Sequence, residues 1–216
     1  MYIPKYHEQA DVGAIHALME AYPFGAWVCP SADGLIANHI PFLLDKSRGK
    51  FGTLLGHVSR ANPVWQRLLE GAQSVVMFQG PHAYITPGWY PSKSEHGKVV
   101  PTWNYTVAHA HGMPRSVHDE AWLLDLLFRL TTVHEASQRL PWNVSDAPRD
   151  FIDKLLRGIV GIEIPIDSLN GKIKVSQDEA LQDRWGTVEG LRAEGSSNAS
   201  AMALLVQQAI TECAEK

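Results

Sequence analysis

Gly56-His57-Val58-Ser59-Arg60-Ala61-Asn62-Pro63 carries the first suggestion of chemistry in this chain. A strand ends at His57 and Val58, Arg60 follows, and Asn62 with Pro63 has the composition of a helix start. An arginine beside a helix N-terminus is a phosphate clamp, because guanidinium donors join free backbone N–H groups. The bland alternative is a salt-bridged Arg60 and an Asn62 that only caps. Upstream, Asn38 and His39 are neighbours on a strand and point to opposite faces, so one polar group faces the apolar side and needs a partner. Downstream, Lys98-Val-Val-Pro-Thr102-Trp103-Asn104-Tyr105 alternates. Thr102 and Asn104 share one face, able to read the polar edge of a ring, and Trp103 and Tyr105 share the other as an aromatic wall. The alternative is a barrel strand with a tryptophan in the core. Lys172 and Lys174 share a third face and suit a phosphate or an acidic partner, or serve as lysines of a solvated edge strand. Ser176 and Glu179 stand at capping-box spacing.

Other chemistries lack support. His109 and His111 lie at i, i+2 without HExxH or a cysteine partner, so no metal is expected. GxSxG is absent, so a nucleophilic triad has no positive signal. Cys29 and Cys213 form no paired motif and read as free thiols of a reducing compartment. The net charge of −4 offers little attraction to nucleic acid, and no basic recognition helix is evident. No apolar run approaches a membrane span and the N-terminus is no signal peptide, so a cytoplasmic protein is expected.

The elements that must hold these residues follow from periodicity. Residues 11–22 read as an amphipathic helix capped by Asp11, with Ile15, Leu18 and Met19 on one face. Strands are expected over 26–28, 35–44, 51–58, 74–79, 82–86, 99–110 and 159–166, with a hairpin arm over 169–175 after the turn pair Asn170-Gly171. Helices are expected over 62–69, 116–130 and 145–157, and twice between 176 and 216, divided near Gly195. Residues 87–97 read as a long Pro/Gly loop. About seven closely spaced strands with helices at the ends favour a small antiparallel barrel with helices outside it: mainly β with peripheral helices, an α+β fold.

Several motifs in order resemble one family, the PaiB-like proteins named FMN-binding negative transcriptional regulators. They are MYIPKYHE, ANHIPFLLD, GHVSRANP, FQGPHAYITPGWYPSK, HGKVVPTWNYTVAHAHG, LPWNVSDAP, IVGIEIPI and GKIKVSQ. The resemblance implies an FMN-binding split β-barrel over residues 1–177 and a C-terminal helical appendage over 178–216 packed on the same domain. It also implies a homodimer with flavin near the subunit interface. Carried onto this chain, it puts His57, Ser59, Arg60 and Asn62 near the flavin phosphate and ribityl chain, with Asn38 and His39 on the adjoining strand. Phe78, Gln79, Thr102, Trp103 and Asn104 become isoalloxazine neighbours, and Lys172, Lys174, Ser176 and Gln177 form the terminal barrel motif. Trp89 and Tyr90 become lid or interface groups. After the Ser-Gln pair the family continues Asn-Arg, whereas this chain has Asp178-Glu179, one cation fewer and two carboxylates more, which weakens the hold on an anion. The expected function is FMN binding in a redox or regulatory protein, with an FMN-dependent oxidoreductase as one form. The alternatives are a repressor acting directly or through a partner and, from related split barrels, haem binding through His39, His57, His96, His109 or His111.

Overall fold

The computed structural model describes residues 1–214, with side chains as far as Glu212, so the Cys213 thiol lies outside the described residues. The elements in order are β1 (Glu8–Gln9), α1 (Val12–Ala21), β2 (Phe24–Ser31), β3 (Gly34–Pro41), β4 (Leu43–Asp45) and β5 (Thr53–Ser59). Then come β6 (Ser74–Ile85), α2 (Ser92–His96), β7 (Thr102–Gly112), β8 (Arg115–Val117), α3 (Glu120–Glu135) and α4 (Arg149–Leu156). The last four are β9 (Ile159–Pro165), β10 (Ser168–Lys174), α5 (Leu181–Glu194) and α6 (Ser197–Ala214). The architecture is mainly β with peripheral helices, as expected. Among the described residues no helix is long and apolar enough to cross a membrane.

The chain forms two compact units, and the long strands β6 and β7 run through both. The first unit holds Met1–Leu18, Gln79–Ala108 and the chain from Asn170 onward. In it β1 pairs antiparallel with β10, Glu8 opposite Lys172, and the sheet continues through β7 to β6. Its core joins Ala83, Ile85 and Tyr90 to Val188 and Leu191 of α5 and to Met202 and Val206 of α6. Helices α5 and α6 thus pack with β6 and β10. The second unit holds Met19–Phe78 and His109–Leu169. Here β7, β6, β2 and β3 form one antiparallel sheet and β4, β5, β9 and β8 another. Helix α3 covers the second sheet through Leu126 and Leu130 against Leu55.

Several local expectations change; among them, the helix expected from 116 starts at Glu120, after β8, and the strand expected over 35–44 breaks at Phe42. Pro63–Gln66 is a single 3-10 turn, not a helix to Leu69: Asn62 caps it through Val64 N–H, but apolar periodicity ends there. Residues 74–85 form one strand, whose burial alternation slips at Gly80–Pro81, where both residues are buried. Asn170-Gly171 is no turn but part of β10, with Gly171 opposite Gln9. A side chain at Gly171 would sit 2.7 Å from Ile15 Cγ1, so close packing of α1 explains the glycine. Finally, Ser176 starts no helix. It has φ 60° and its carbonyl accepts Glu179 N–H, a tight turn before α5.

Residues 87–97 hold a 3-10 turn and a short helix rather than one long irregular loop. Thr86 caps a 3-10 turn over Pro87–Trp89. Helix α2 follows, fixed by Asp183, which accepts from Ser92 N–H at 3.1 Å and Ser92 O–H at 2.6 Å. Tyr90 is buried in the first unit's core. Trp89 lies on α5 where Gly186 and Gly190 leave room for it. Tyr90 is therefore a core residue, and Trp89 is half-buried against α5. A loop this aromatic gains more from burial than from mobility.

Candidate functional site

In the first unit, β7 and β10 bring four of the expected residues into hydrogen-bond contact. Strand alternation turns Asn104 and Thr106 inward and Trp103 outward. Asn104 is fully buried, and its Nδ2 donates to Ser176 Oγ at 2.8 Å. Its Oδ1 has no partner. A fully buried carbonyl without a donor costs about 1–3 kcal/mol, so the position suits a ligand or water that donates. Lys174 Nζ donates to Thr102 Oγ1. Ser176 occupies the left-handed region, where a non-glycine residue is strained by roughly 1–2 kcal/mol. Strain held by a buried hydrogen bond marks a position that the surrounding structure over-determines.

The remaining polar groups of this cluster frame it. Gln177 Oε1 accepts Val175 N–H at 2.8 Å, and its Nε2 donates to the Ile173 carbonyl at 2.6 Å. His7 Nδ1 lies 3.0 Å from the same Oε1. His7 is buried, and burial holds its pKa below the ordinary value. Lys172 is no solvated edge lysine: it is 7% exposed, sits 5.1 Å above the Tyr105 ring and donates to the Tyr2 carbonyl. Glu179 is pushed up first by burial and then by the Asp178 and Asp183 carboxylates. On the outer face, Trp103 is 54% exposed, stacked on His82 with Tyr84 edge-on. The polar and aromatic faces of β7 are therefore divided as the alternation implied, with the amide in the core and the indole outside. Gln79 is exposed on β6.

In the second unit, Asn38 and Asn62 meet: Asn62 Nδ2 donates to Asn38 Oδ1 at 2.7 Å. Asn38 Nδ2 is unpaired, as is Nε1 of Trp27, its cross-strand neighbour. Both are donors, so a buried water or a ligand oxygen would satisfy them. His39 faces outward near Phe24. His57 does not join Asn38. Gly56 faces Ile40 and Phe42, which puts His57 on the opposite side of β5, the side on which Leu55 packs against α3. Its Nδ1 is buried and unpaired, and burial lowers its pKa. Ser59 is exposed and accepts Ala61 N–H. Phe78 is a core residue, edge-on to Phe42.

Among the described residues Arg60 makes no salt bridge, and it is no open clamp. Its Nε donates to the Arg157 carbonyl at 2.7 Å and its Nη2 to the Ile159 carbonyl at 2.8 Å. These two donors form the side edge of the guanidinium, the edge that grips an oxyanion in bidentate fashion. That edge is committed to the end of α4 and the start of β9.

His7, Ser92, Asp183 and Arg184 were not among the expected site residues, although His7 lies in MYIPKYHE and Ser92 in FQGPHAYITPGWYPSK. Arg184 had a legible signal: it stands with Thr187, Val188 and Leu191 at i, i+3, i+4 and i+7, a cation on an apolar stripe. A cleft of 780 Å³ in the second unit, lined in part by Trp65, Leu69, Met113, Arg115 and Asp167, had none. Among the described residues no group of three or more His, Cys, Asp or Glu could hold a metal ion; the His109 and His111 rings lie 6.4 Å apart.

The first-unit cluster carries group types that a flavin mononucleotide calls for: the Lys174 cation for a phosphate, and the unpaired Asn104 carbonyl and Ser176 hydroxyl for polar edges, while Trp103 lies on the opposite face of β7.

Comparisons with known proteins show the family. Residues 1–168 match the family model described as "Putative FMN-binding domain". Protease synthase and sporulation protein PAI 2 of Bacillus subtilis is 31% identical, over 96% of this chain and 97% of its own. An uncharacterised protein of Emericella nidulans is 33% identical, with the same coverage of both chains. Among solved structures, an FAD- and haem-binding protein from Mycobacterium smegmatis superposes with TM-score 0.59 at 16% identity, covering 88% of this chain and 80% of that one. The flavocytochrome Anf3 from Azotobacter vinelandii gives 0.56 at 14%, covering 80% and 72%. At such identities these structures speak to the fold, the split barrel of flavin-binding proteins. Fold and sequence together make the chain a member of the PaiB-like family of FMN-binding split-barrel proteins.

Proposed function

We propose that the first-unit cluster on β7 and β10 is where this chain holds FMN. The carrying observation is the buried Asn104 amide, bonded through Nδ2 to a strained Ser176 and left with an unpaired Oδ1. A bound flavin would supply the redox chemistry, and the chain supplies position and electrostatics. Lys174, fixed by Thr102, holds positive charge at the cluster. Gln177 locks the β10 end by bonding Ile173 and Val175, and His7 buttresses Gln177. Trp103 with His82 and Tyr84 offers a flat outer surface.

The same reading includes a cytoplasmic homodimer. Its support is apolar surface left open in each unit: Tyr84 and Trp103 in the first, Phe24 and Leu35 in the second. Such side chains are enriched where a partner covers them. Sedimentation of the purified protein should give a dimer, and a concentration-independent monomer refutes that part. Direct DNA recognition is not adopted, because the net charge of −4 opposes it. Haem is not adopted either, since no observation selects one histidine as an axial ligand.

Titrating FMN into purified protein should give saturable quenching of flavin fluorescence and a perturbed visible spectrum. Asn104→Leu should weaken binding at least tenfold. Absence of saturable binding refutes the assignment.

A further inference from the structure

A second guanidinium has the opposite situation from Arg60. Arg184 of α5 is 6% exposed, and its Nε and Nη2 have no hydrogen-bond partner among the described residues. Among the described residues no ion pair includes it either. The nearest carboxylate in sequence, Asp183, is already held by Ser92. Nε and Nη2 are again the side edge of the fork. Burying a full charge with that edge unsatisfied is strongly unfavourable, and folded proteins retain such a group where something else completes it. Arginine suits this role because its charge cannot be removed by deprotonation.

The chemistry that completes a planar two-donor edge is an oxyanion with two acceptor oxygens, a phosphate or a carboxylate. A mononucleotide flavin brings one phosphate. Arg60, the arginine that sequence marked for that phosphate, has its own side edge bonded to the carbonyls of Arg157 and Ile159. Arg184 belongs to the first unit, with Lys174, Ser176 and Asn104.

We propose that Arg184, not Arg60, is the residue that recognises the flavin phosphate, through its Nε–Nη2 edge. The proposal rests on the FMN-binding reading above. It assigns Arg184 as a specificity residue that separates FMN from riboflavin, whose isoalloxazine and ribityl groups are the same. It also accounts for a cation lying on an otherwise apolar helix face.

The test is equilibrium binding of FMN and of riboflavin to the full chain, read by flavin fluorescence quenching. A charge-assisted bidentate contact should make FMN bind about 30–100-fold more tightly than riboflavin. Arg184→Gln should reduce that preference to within about threefold and leave riboflavin affinity unchanged. Arg184→Lys keeps the charge but loses the fork, and should retain about tenfold or less. Arg60→Gln should keep the preference. Several results overturn the proposal: wild-type protein that binds both flavins equally, Arg184→Gln that still prefers FMN, or loss of riboflavin binding in parallel with FMN. Should Arg184→Gln not fold, Arg184→Lys with an undiminished FMN preference also overturns it. Wild-type protein that binds neither flavin refutes the FMN-binding reading as well, so the two failures are distinguishable.

Discussion

Adding one methyl group to α5 tests whether Trp89 is a fixed packing residue. A Cβ on Gly190 would stand 2.1 Å from Trp89 Cδ2 and 2.4 Å from two further ring atoms. Carbon atoms pack at about 3.5–4.0 Å, so the ring must retreat by about 1.5 Å. Overpacking of this kind costs about 3 kcal/mol, and the helix propensity of alanine over glycine returns about 1 kcal/mol. A net loss of about 2 kcal/mol lowers Tm by about 4–8 °C for a chain of this size. Gly186 meets the same residue differently, since its Cβ would stand 2.0 Å from the Trp89 carbonyl oxygen. Truncating the indole therefore relieves one clash and not the other. Gly190→Ala combined with Trp89→Ala should be no less stable than Trp89→Ala alone, whereas Gly186→Ala should remain destabilising in the Trp89→Ala background. Thermal unfolding of the single and double variants measures this. The packing account is refuted if Gly190→Ala melts within 2 °C of wild type, or if its effect simply adds to that of Trp89→Ala. The first result would mean that the indole moves aside freely, as a lid would; the second, that the cost of the added Cβ does not arise from the indole.

Three more outcomes follow from the β10 end. Glu179 has a folded pKa above its unfolded value, so the fold is unpenalised below the ordinary carboxylate range and loses stability as pH rises through the unfolded value towards the raised one. Glu179→Gln should stabilise at pH 7 by up to about 1 kcal/mol in urea melts and do nothing at pH 3.5; equal gains at both pH values would show that charge is not the cause. Replacing Asp178 by Asn and Glu179 by Arg together restores the family pattern, and should tighten FMN by about tenfold or more with riboflavin affinity unchanged; unchanged FMN affinity would rule out an electrostatic handicap. Ser176→Ala loses the hydroxyl that Asn104 bonds and keeps the φ of 60°, whereas Ser176→Gly loses the hydroxyl but removes the strain. The glycine variant should be more stable than the alanine variant by about 1 kcal/mol in denaturant melts, and the reverse order would contradict the strain argument.

Much of the fold was legible because burial writes period two into strands and a wider apolar stripe into helices. Val99–Ala110 and Ile159–Ile166 mark β7 and β9 in this way, and the helix over 11–22 and the division near Gly195 also match α1, α5 and α6. Turn chemistry misled at Asn170-Gly171, because a glycine needed for contact with Ile15 looks the same in sequence as a glycine needed for a turn. It misled again at Ser176, where capping-box spacing concealed a left-handed residue. The neighbours of β7 and β10 were named in advance as separate strands, but their mutual bonds join Thr102 to Lys174 and Asn104 to Ser176 over long sequence separations.

The residues by themselves determined the class of fold, the family, and the division of β7 into a polar and an aromatic face, since each depends on local pattern or on motif order. Only the tertiary structure decided which polar atoms are already satisfied. The two arginines make the point: sequence drew attention to Arg60 beside a turn, and folding brought the Arg157 and Ile159 carbonyls onto its side edge. The same folding buried the corresponding edge of Arg184 without a partner. A side chain's capacity to bind depends on what remains unbonded after packing, and that is set by contacts between segments distant in the chain.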